Sequence, residues 1–327
     1  SGFLMSTSAH PFDTLSQDRI IDWLESLGTL SDYRIYPLNS YENRVYRVGI
    51  EEAKPVVLKA YRPGRWSEAQ IREELTFTDQ LFEAEIPVVP AMKLGDDIVH
   101  LRDGFWFACF EMRAGHAFEL DNPDQMYRIG QHLARLHNVG ETAVFQHRPS
   151  LSLIEPIIQA QRFFADSPLL PDDLRANYLA TLAPIAELIQ RRFEPLFRQA
   201  ASIRIHGDFH AGNILSRDDQ LLIVDLDDTV MGPAAQDIWK LLSGDKQEQA
   251  RQINELEEGY EQFRPFPRKE LSLLEPLRTV HMIRHTLWIA QRWDDPAFPR
   301  AFSWFDSQRF WSDHLLALRE QWALLQE

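Results

Sequence analysis

Two stretches late in the chain constrain the fold most. Ile205–Leu215 reads IHGDFHAGNIL, and Leu221–Asp228 reads LLIVDLDD, an apolar run that ends in acids. The turn RDDQ (Arg217–Gln220) separates them, so a short hairpin returns the end of the apolar strand beside the first loop. Asp208, Asn213 and Asp225 then converge from two adjacent loops. His206 and His210 stand four apart, the spacing of two zinc ligands on one helix face. A strand precedes them and Gly212 follows, which argues against a helix there, and Asp208 is the one candidate third ligand. A plain polar loop that satisfies its own backbone is the other alternative.

The rest of the chain divides by pattern. Leu15–Leu27 reads as an amphipathic helix capped by Ser16 and stopped by Gly28. Arg34–Leu38, Arg44–Ile50 and Pro55–Tyr61 read as strands, Trp66–Glu83 as a helix, and Asp97–Leu101 and Phe105–Phe110 as two more strands around the turn RDG. Beyond Glu111 the helical spacing dominates, over Gln125–His137, Asp172–Gln199, Gln236–Leu242 and Leu271–Arg292. Clear strands there flank the opening motif, at Ser202–Ile205 and Leu221–Leu226. The expected class is α+β, an antiparallel β-sheet lobe with one inserted helix joined to a mainly α-helical lobe.

Composition excludes several roles. With 327 residues, two lobes are expected. The net charge of −15 opposes nucleic-acid binding, and no Lys/Arg run offsets it. No apolar run approaches the ~20 residues of a membrane span. SGFLMS lacks the basic start of a signal peptide, and Ser1–Leu4 read as an addition ahead of a native Met5. The single cysteine, Cys109, lies in the apolar run FWFACF and reads as a buried small hydrophobe. A reducing, cytoplasmic setting and a monomer are expected.

Chemistry follows from the converging groups. Asp208 is an acceptor placed to take a proton, and Asn213 and Asp225 are hard oxygen ligands suited to Mg²⁺ held with substrate phosphates. Asp-x-x-x-x-Asn followed by a strand-end Asp is the spacing of a phosphoryl-transfer catalytic loop: Asp208 as base, Asn213 and Asp225 as first and second metal ligands, with Asp208 and Asp225 the candidate catalytic residues. Lys59, inside the apolar strand VVLKAY, costs desolvation unless it meets an anion. Glu74, or else Glu73, on the following helix would fix it, with Ile71, Leu75, Phe77 and Leu81 on the buried side. The bland reading of Lys59 is a snorkelling edge-strand side chain.

These residues resemble the protein-kinase-like phosphotransferases of the aminoglycoside phosphotransferase and choline kinase type, in HGDFHAGNIL, IVDLDD and GQHLARLH (Gly130–His137). More closely, LNSYENRVYR, WSEAQIREE, GPAAQDIWKLLSGD and RWDDPAFPRAF are similar to the stress response kinase A family of bacterial Ser/Thr protein kinases. The resemblance covers nearly the whole chain. It implies a bilobal kinase fold, with residues 1–110 binding the nucleotide, 111–115 as hinge and 116–327 as catalytic lobe. It implies ATP and Mg²⁺ as cofactors, a protein Ser/Thr acceptor and a role in stress survival. Ser40 and Asn43 fall in the loop over the nucleotide, Lys59 and Glu74 at the phosphates, Glu111 and Arg113 in the hinge, and Asp237 behind the catalytic loop. Three departures from the kinase pattern stand out. The nucleotide loop has no glycine, HGD replaces H-R-D, and VDLDD replaces D-F-G, so activity without an activation-loop switch is expected. The alternatives are a small-molecule kinase for a cationic amine and a nucleotide sensor without turnover. The stretch Asn138–Asp173 is expected to help form the acceptor rim, and its basic and aromatic groups at His147–Pro149 (HRP) and Gln161–Phe164 (QRFF) favour a protein acceptor.

Overall fold

A computed structural model of the chain describes residues 10–327; the reading of Ser1–Leu4 lies outside them. The first lobe is an antiparallel sheet ordered β1-β2-β3-β5-β4. Its strands are β1 (Ser31–Leu38), β2 (Arg44–Ile50), β3 (Val56–Ala60), β4 (His100–Arg102) and β5 (Phe105–Glu111). In β3 the burial alternates, so Leu58 and Lys59 face opposite sides. On the Leu58 side, α1 (Gln17–Ser26) buries Trp23 and Leu24 against Phe105, Phe107 and Cys109.

On the Lys59 side lies α2 (Glu68–Glu83), started by a reciprocal cap between Ser67 and Gln70. Its first half packs Ile71 and Leu75 with Tyr61 and Ala108 of the sheet, and its second half sends Phe77 and Leu81 into the core of the helical lobe. α2 therefore belongs to both lobes.

The second lobe contains β6 (His116–Ala117), α3 (Pro123–Gly140), α4 (Glu155–Phe164), α5 (Asp172–Leu188) and α6 (Glu194–Gln199). Then come β7 (Ile203–Ile205), β8 (Ile214–Arg217), β9 (Gln220–Ile223), β10 (Val230–Gly232) and α7 (Gln236–Trp239). It ends with α8 (Lys246–Tyr260), α9 (Leu274–Gln291), α10 (Ala297–Ala301) and α11 (Gln308–Gln326). β8 and β9 form the expected hairpin, Ile214 opposite Ile223, with β6 on its outer edge. β7 pairs with β10 instead.

Several expected spans differ. The helix expected over Asp172–Gln199 opens into a wide π turn at Ile189–Phe193, because Pro195 has no amide hydrogen to continue the register. The strand expected over Leu221–Leu226 stops at Ile223, where the chain turns into a left-handed Asp225. Helices α4, α8 and α11 and strand β10 were not expected. GQHLARLH owes its glycine to α8, since a Cβ on Gly130 would stand 2.3 Å from the Leu256 carbonyl oxygen.

Candidate active site

The loop after β7 is fixed by backbone contacts before any side chain is considered. Gly207 has φ +93°, and a Cβ on it would meet the Asp228 carbonyl oxygen at 2.2 Å. That close approach excludes a side chain, which is why this chain has HGD and not H-R-D. Buried Asp237 of α7 accepts hydrogen bonds from the amides of His206 and Gly207, both at 2.9 Å, and pairs with His137 of α3 at 2.8 Å. The ring of His206 is spent: Nε2 bonds the Val224 carbonyl at 2.9 Å and Nδ1 accepts from the Asp208 amide at 3.2 Å. His210 Nδ1 accepts from the Gly212 amide at 3.0 Å. The pair therefore shapes the loop and has no geometry for zinc.

Asp208 and Asn213 meet directly, the Asn213 amide nitrogen lying 2.8 Å from the Asp208 carbonyl and 3.2 Å from Oδ2. Lys240 Nζ stands 2.5 Å from the other carboxylate oxygen, and His210 Nε2 lies 3.4 Å from Oδ2. Burial pushes the Asp208 carboxyl up, but His210 and the Lys240 ammonium outweigh it and hold it well below the usual carboxylate range. Asp225 reaches the same cleft from the other loop, with φ 59° and its backbone anchored by the Val224 amide on the Asn213 carbonyl at 2.9 Å. The surrounding protein and the carboxylates of Asp227 and Asp228 push its pKa up, against the pull of Lys59. Asp227 and Asp228 are not simply solvated: Arg65 pairs with both.

Across the cleft, Lys59 Nζ lies 3.4 Å from Glu74 Oε2 and 3.6 Å from Asp227 Oδ1. The Tyr61 hydroxyl donates to the same Glu74 oxygen at 3.1 Å. Burial alone would lower the Lys59 ammonium, but Glu74 and Asp227 raise it well above its ordinary value, so it is charged. Glu73 points elsewhere, accepting from the amides of Gln146, His147 and Arg148. Ser40 closes its own loop, its hydroxyl accepting from the Val45 amide at 3.2 Å, and Asn43 accepts from the Arg62 amide at 3.1 Å. Glu111 and Arg113, half exposed and 3.8 Å apart, line the mouth. Asp208, Asn213, Asp225, Lys59, Glu74, Ser40, Asn43, Glu111 and Arg113 border one cleft of about 1100 Å³.

Of the stretch Asn138–Asp173 expected at the acceptor rim, Pro149–Ser152, Glu155, Pro156 and Gln159 border the cleft, whereas Arg148 and the residues of QRFF do not. Arg148 is turned inward and 4% exposed, and Phe164 is wholly buried in the helical core. Local packing outranks sequence polarity at these two positions, while His147, Pro149 and Arg162 are exposed. Lys240 after α7 and His281, Arg284 and His285 of α9 line the cleft as well. Sequence reasoning missed Lys240, although a lysine set between Trp239 and Leu241 in an apolar run was an available signal. It also missed Arg65, and Glu42, which binds Trp288 and Arg292 of the distant α9 region.

A profile of the phosphotransferase enzyme family matches residues 34–274. Stress response kinase A of Escherichia coli (strain K12) is 41% identical over 323 residues, covering 99% of this chain and 97% of that protein. The serine/threonine protein kinase RdoA of Salmonella typhimurium (strain LT2) is 39% identical with the same coverage. Among solved structures, amicoumacin kinase hAmiN in complex with AMP-PNP, Ca²⁺ and Ami has a TM-score of 0.69 at 15% identity, over 89% of this chain and 92% of that one. The microcompartment-associated aminopropanol kinase has a TM-score of 0.67 at 16% identity, over 94% and 96%. At such identities the solved structures speak for the fold alone. Family profile and full-length relatives agree: the chain belongs to the phosphotransferase enzyme family, in its stress response kinase A group, and is a phosphotransferase that uses an alcohol group as acceptor.

Proposed function

We propose that the chain transfers the γ-phosphoryl group of ATP, with Mg²⁺, to a Ser or Thr hydroxyl of a protein, as a monomeric cytoplasmic kinase acting in stress survival. The observation that carries this reading is the convergence of Asp208, Asn213 and Asp225 opposite a charged Lys59 fixed by Glu74. Residues 111–115 serve as the hinge between a nucleotide lobe (1–110) and a catalytic lobe (116–327). Glu111 and Arg113 offer backbone groups to adenine, and Ser40 and Asn43 shape the loop over the phosphates. Lys59 takes the α- and β-phosphates.

Asp208 orients the acceptor hydroxyl and receives its proton as the new O–P bond forms and the bond from the γ-phosphorus to ADP breaks. A loose transition state asks little basicity of it, which suits a carboxylate held strongly ionised by Lys240. The Asn213 amide oxygen and the Asp225 carboxylate form an all-oxygen pair that fits a hard cation. The surplus of carboxylates around them also fits one: Asp227 Oδ1 is buried, accepts no hydrogen bond among the described residues and lies 3.6 Å from Lys59 Nζ. When bound, Mg²⁺ offsets the charge on the phosphate oxygens. Among the described residues no three His, Cys, Asp or Glu side chains converge to hold a metal alone, and Asn213 and Asp225 would hold Mg²⁺ together with substrate phosphates.

For the acceptor, Lys240, His281, Arg284 and His285 put a basic wall beside Asp208, which Lys240 already neutralises, and such a wall disfavours a cationic amine. Among the described residues no helix is long and apolar enough to cross a membrane. Purified protein with labelled ATP and Mg²⁺ or Mn²⁺ is expected to label Ser or Thr in casein or myelin basic protein, and to turn over neither aminoglycosides nor choline. Saturable phosphorylation of one such amine without protein labelling would make this a small-molecule kinase. Stoichiometric zinc lost on mutating His206 and His210 would reassign the catalytic loop.

A further inference from the structure

We infer that Arg148 is a positioning residue that ties α2 to the metal-binding loop, so that the Lys59–Glu74 pair stands assembled without an activating signal. The inference rests on the kinase reading above for its kinetic part and on geometry for the rest. Arg148 lies on a strap, residues 145–151, that crosses from α3 back to β10. The strap is stitched to β10, with the Leu151 amide on the Met231 carbonyl at 2.7 Å and the Met231 amide on the Pro149 carbonyl at 3.2 Å. Its other side is stitched to α2. The Glu73 carboxylate accepts from the amides of residues 146, 147 and 148 at 2.6, 2.8 and 2.8 Å. The Gln70 amide donates to the His147 carbonyl at 3.0 Å, and Phe145 meets Phe77 edge to face.

The Arg148 guanidinium completes the junction. Nε donates to the Gln70 carbonyl of α2 at 2.8 Å, and Nη1 donates to the Asp227 and Thr229 carbonyls at 2.8 and 3.0 Å. Nη2 lies 3.5 Å from Glu74 Oε1, and the plane sits 4.1 Å from the Trp66 ring. Among the described residues neither Nη2 nor Glu74 Oε1 has a hydrogen-bond partner, and both are buried, so each answers the other's charge. One planar fork thus reads four groups on two elements at once, which a lysine's point charge cannot do. Swinging α2 outward, a common way for kinases to separate the lysine from its glutamate, would pull Arg148 off the loop that carries Asp225 and Asp227. Steric exclusion of a side chain at Gly207 removes the usual arginine that senses an activation-loop phosphate, and Arg148 makes that sensor unnecessary.

The test uses the full chain carrying Arg148→Met, Glu74→Gln and both. Hydrogen exchange is expected to rise at least about tenfold in the amides of α2 for Arg148→Met, with the rest of the sheet unchanged. In the protein-labelling assay kcat/KM should fall about tenfold or more with KM for ATP little changed. In the Glu74→Gln background the same substitution should cost less than about threefold. Arg148→Lys, which keeps the charge and loses the fork, should show the same pattern and replaces Arg148→Met if that variant fails to fold. Unchanged exchange in α2 overturns the proposal, even if the wild type shows no turnover at all. So does an equal kinetic loss with and without Glu74, which would leave Arg148 a packing residue.

Discussion

Two loops face each other across the cleft and are held in opposite ways. The catalytic loop is fastened by near neighbours: Asn213 to Asp208 five residues away, and the Gly207 and His206 amides to Asp237 thirty and thirty-one away. Its fastenings are all inside the helical lobe. The nucleotide loop is fastened by the far end of the chain. Glu42 pairs with Trp288 and with Arg292 at 2.8 Å, 246 and 250 residues on, and buried Asp295 binds Arg44 and Arg62 at 2.7 and 2.6 Å. One loop is therefore fastened within its own lobe, and the other adds to its local bonds, Ser40 to Val45 and Asn43 to Arg62, a set of contacts with the opposite lobe. Damage to the first should read out in the chemical step, damage to the second in nucleotide affinity.

The largest effect is expected from Asp208→Asn. Transfer should fall by ~10²–10⁴, the usual worth of a general base, while ATP affinity stays within a few fold. Steady-state labelling and a nucleotide-binding titration check both halves. Near-normal turnover would remove Asp208 from the chemistry. Lys59→Ala comes next, with a loss of about a hundredfold in kcat/KM and a smaller copy of it in Glu74→Gln. Because the two side chains act through one contact, the double mutant should lose less than the sum. Strict additivity would detach Glu74 from Lys59.

The same division sets what the residues alone reveal. Asp208, Asn213 and Asp225 are legible because a hairpin of short sequence span brings them together, and turn and strand signals are local. Lys59 is legible because an ammonium in an apolar strand demands an anion. Glu74 over Glu73 follows only weakly from the helix face, and the structure separates them by what each accepts: Lys59 and Tyr61 for one, the strap amides for the other. Glu42 and Arg65 carry no such signal. Besides each other and Arg62, their partners Asp227, Asp228, Trp288 and Arg292 lie more than a hundred residues away, and a charge in a polar loop looks solvated until its partner is known. The HRP misplacement has the same cause, since an arginine flanked by His and Pro reads as surface while Arg148 is buried by contacts from three separate elements. Helices α8 and α11 went unseen because their stripes are interrupted by polar residues that pack internally, Gln252 and Gln321.

Glu42→Gln attacks the long-range fastening. The substitution keeps the shape and removes the charge that holds Arg292 and Trp288. KM for ATP should rise about tenfold, ~1.4 kcal/mol, with kcat within twofold. That is less than the ~3–5 kcal/mol of breaking a fully buried pair, because Arg62 and Arg65 keep other partners and Glu42 remains partly open to the cleft. A fall in kcat with KM unchanged would break the comparison, since it would make the nucleotide loop part of the chemical machinery.

The smallest effect belongs to Trp288→Phe, which tests whether charge or aromatic packing closes the clasp. Phenylalanine keeps a ring against Phe298 and beside His285 but has no N–H to donate to Glu42. A single hydrogen bond is worth ~0.5–1.5 kcal/mol net, and Arg292 still holds both Glu42 oxygens, so KM for ATP should rise only about two- to threefold. Combined with Glu42→Gln it should add almost nothing, because the bond it deletes is already weakened in that background. An effect as large as that of Glu42→Gln, fully additive with it, would mean that the indole's packing and not the ion pairing holds the nucleotide loop to α9.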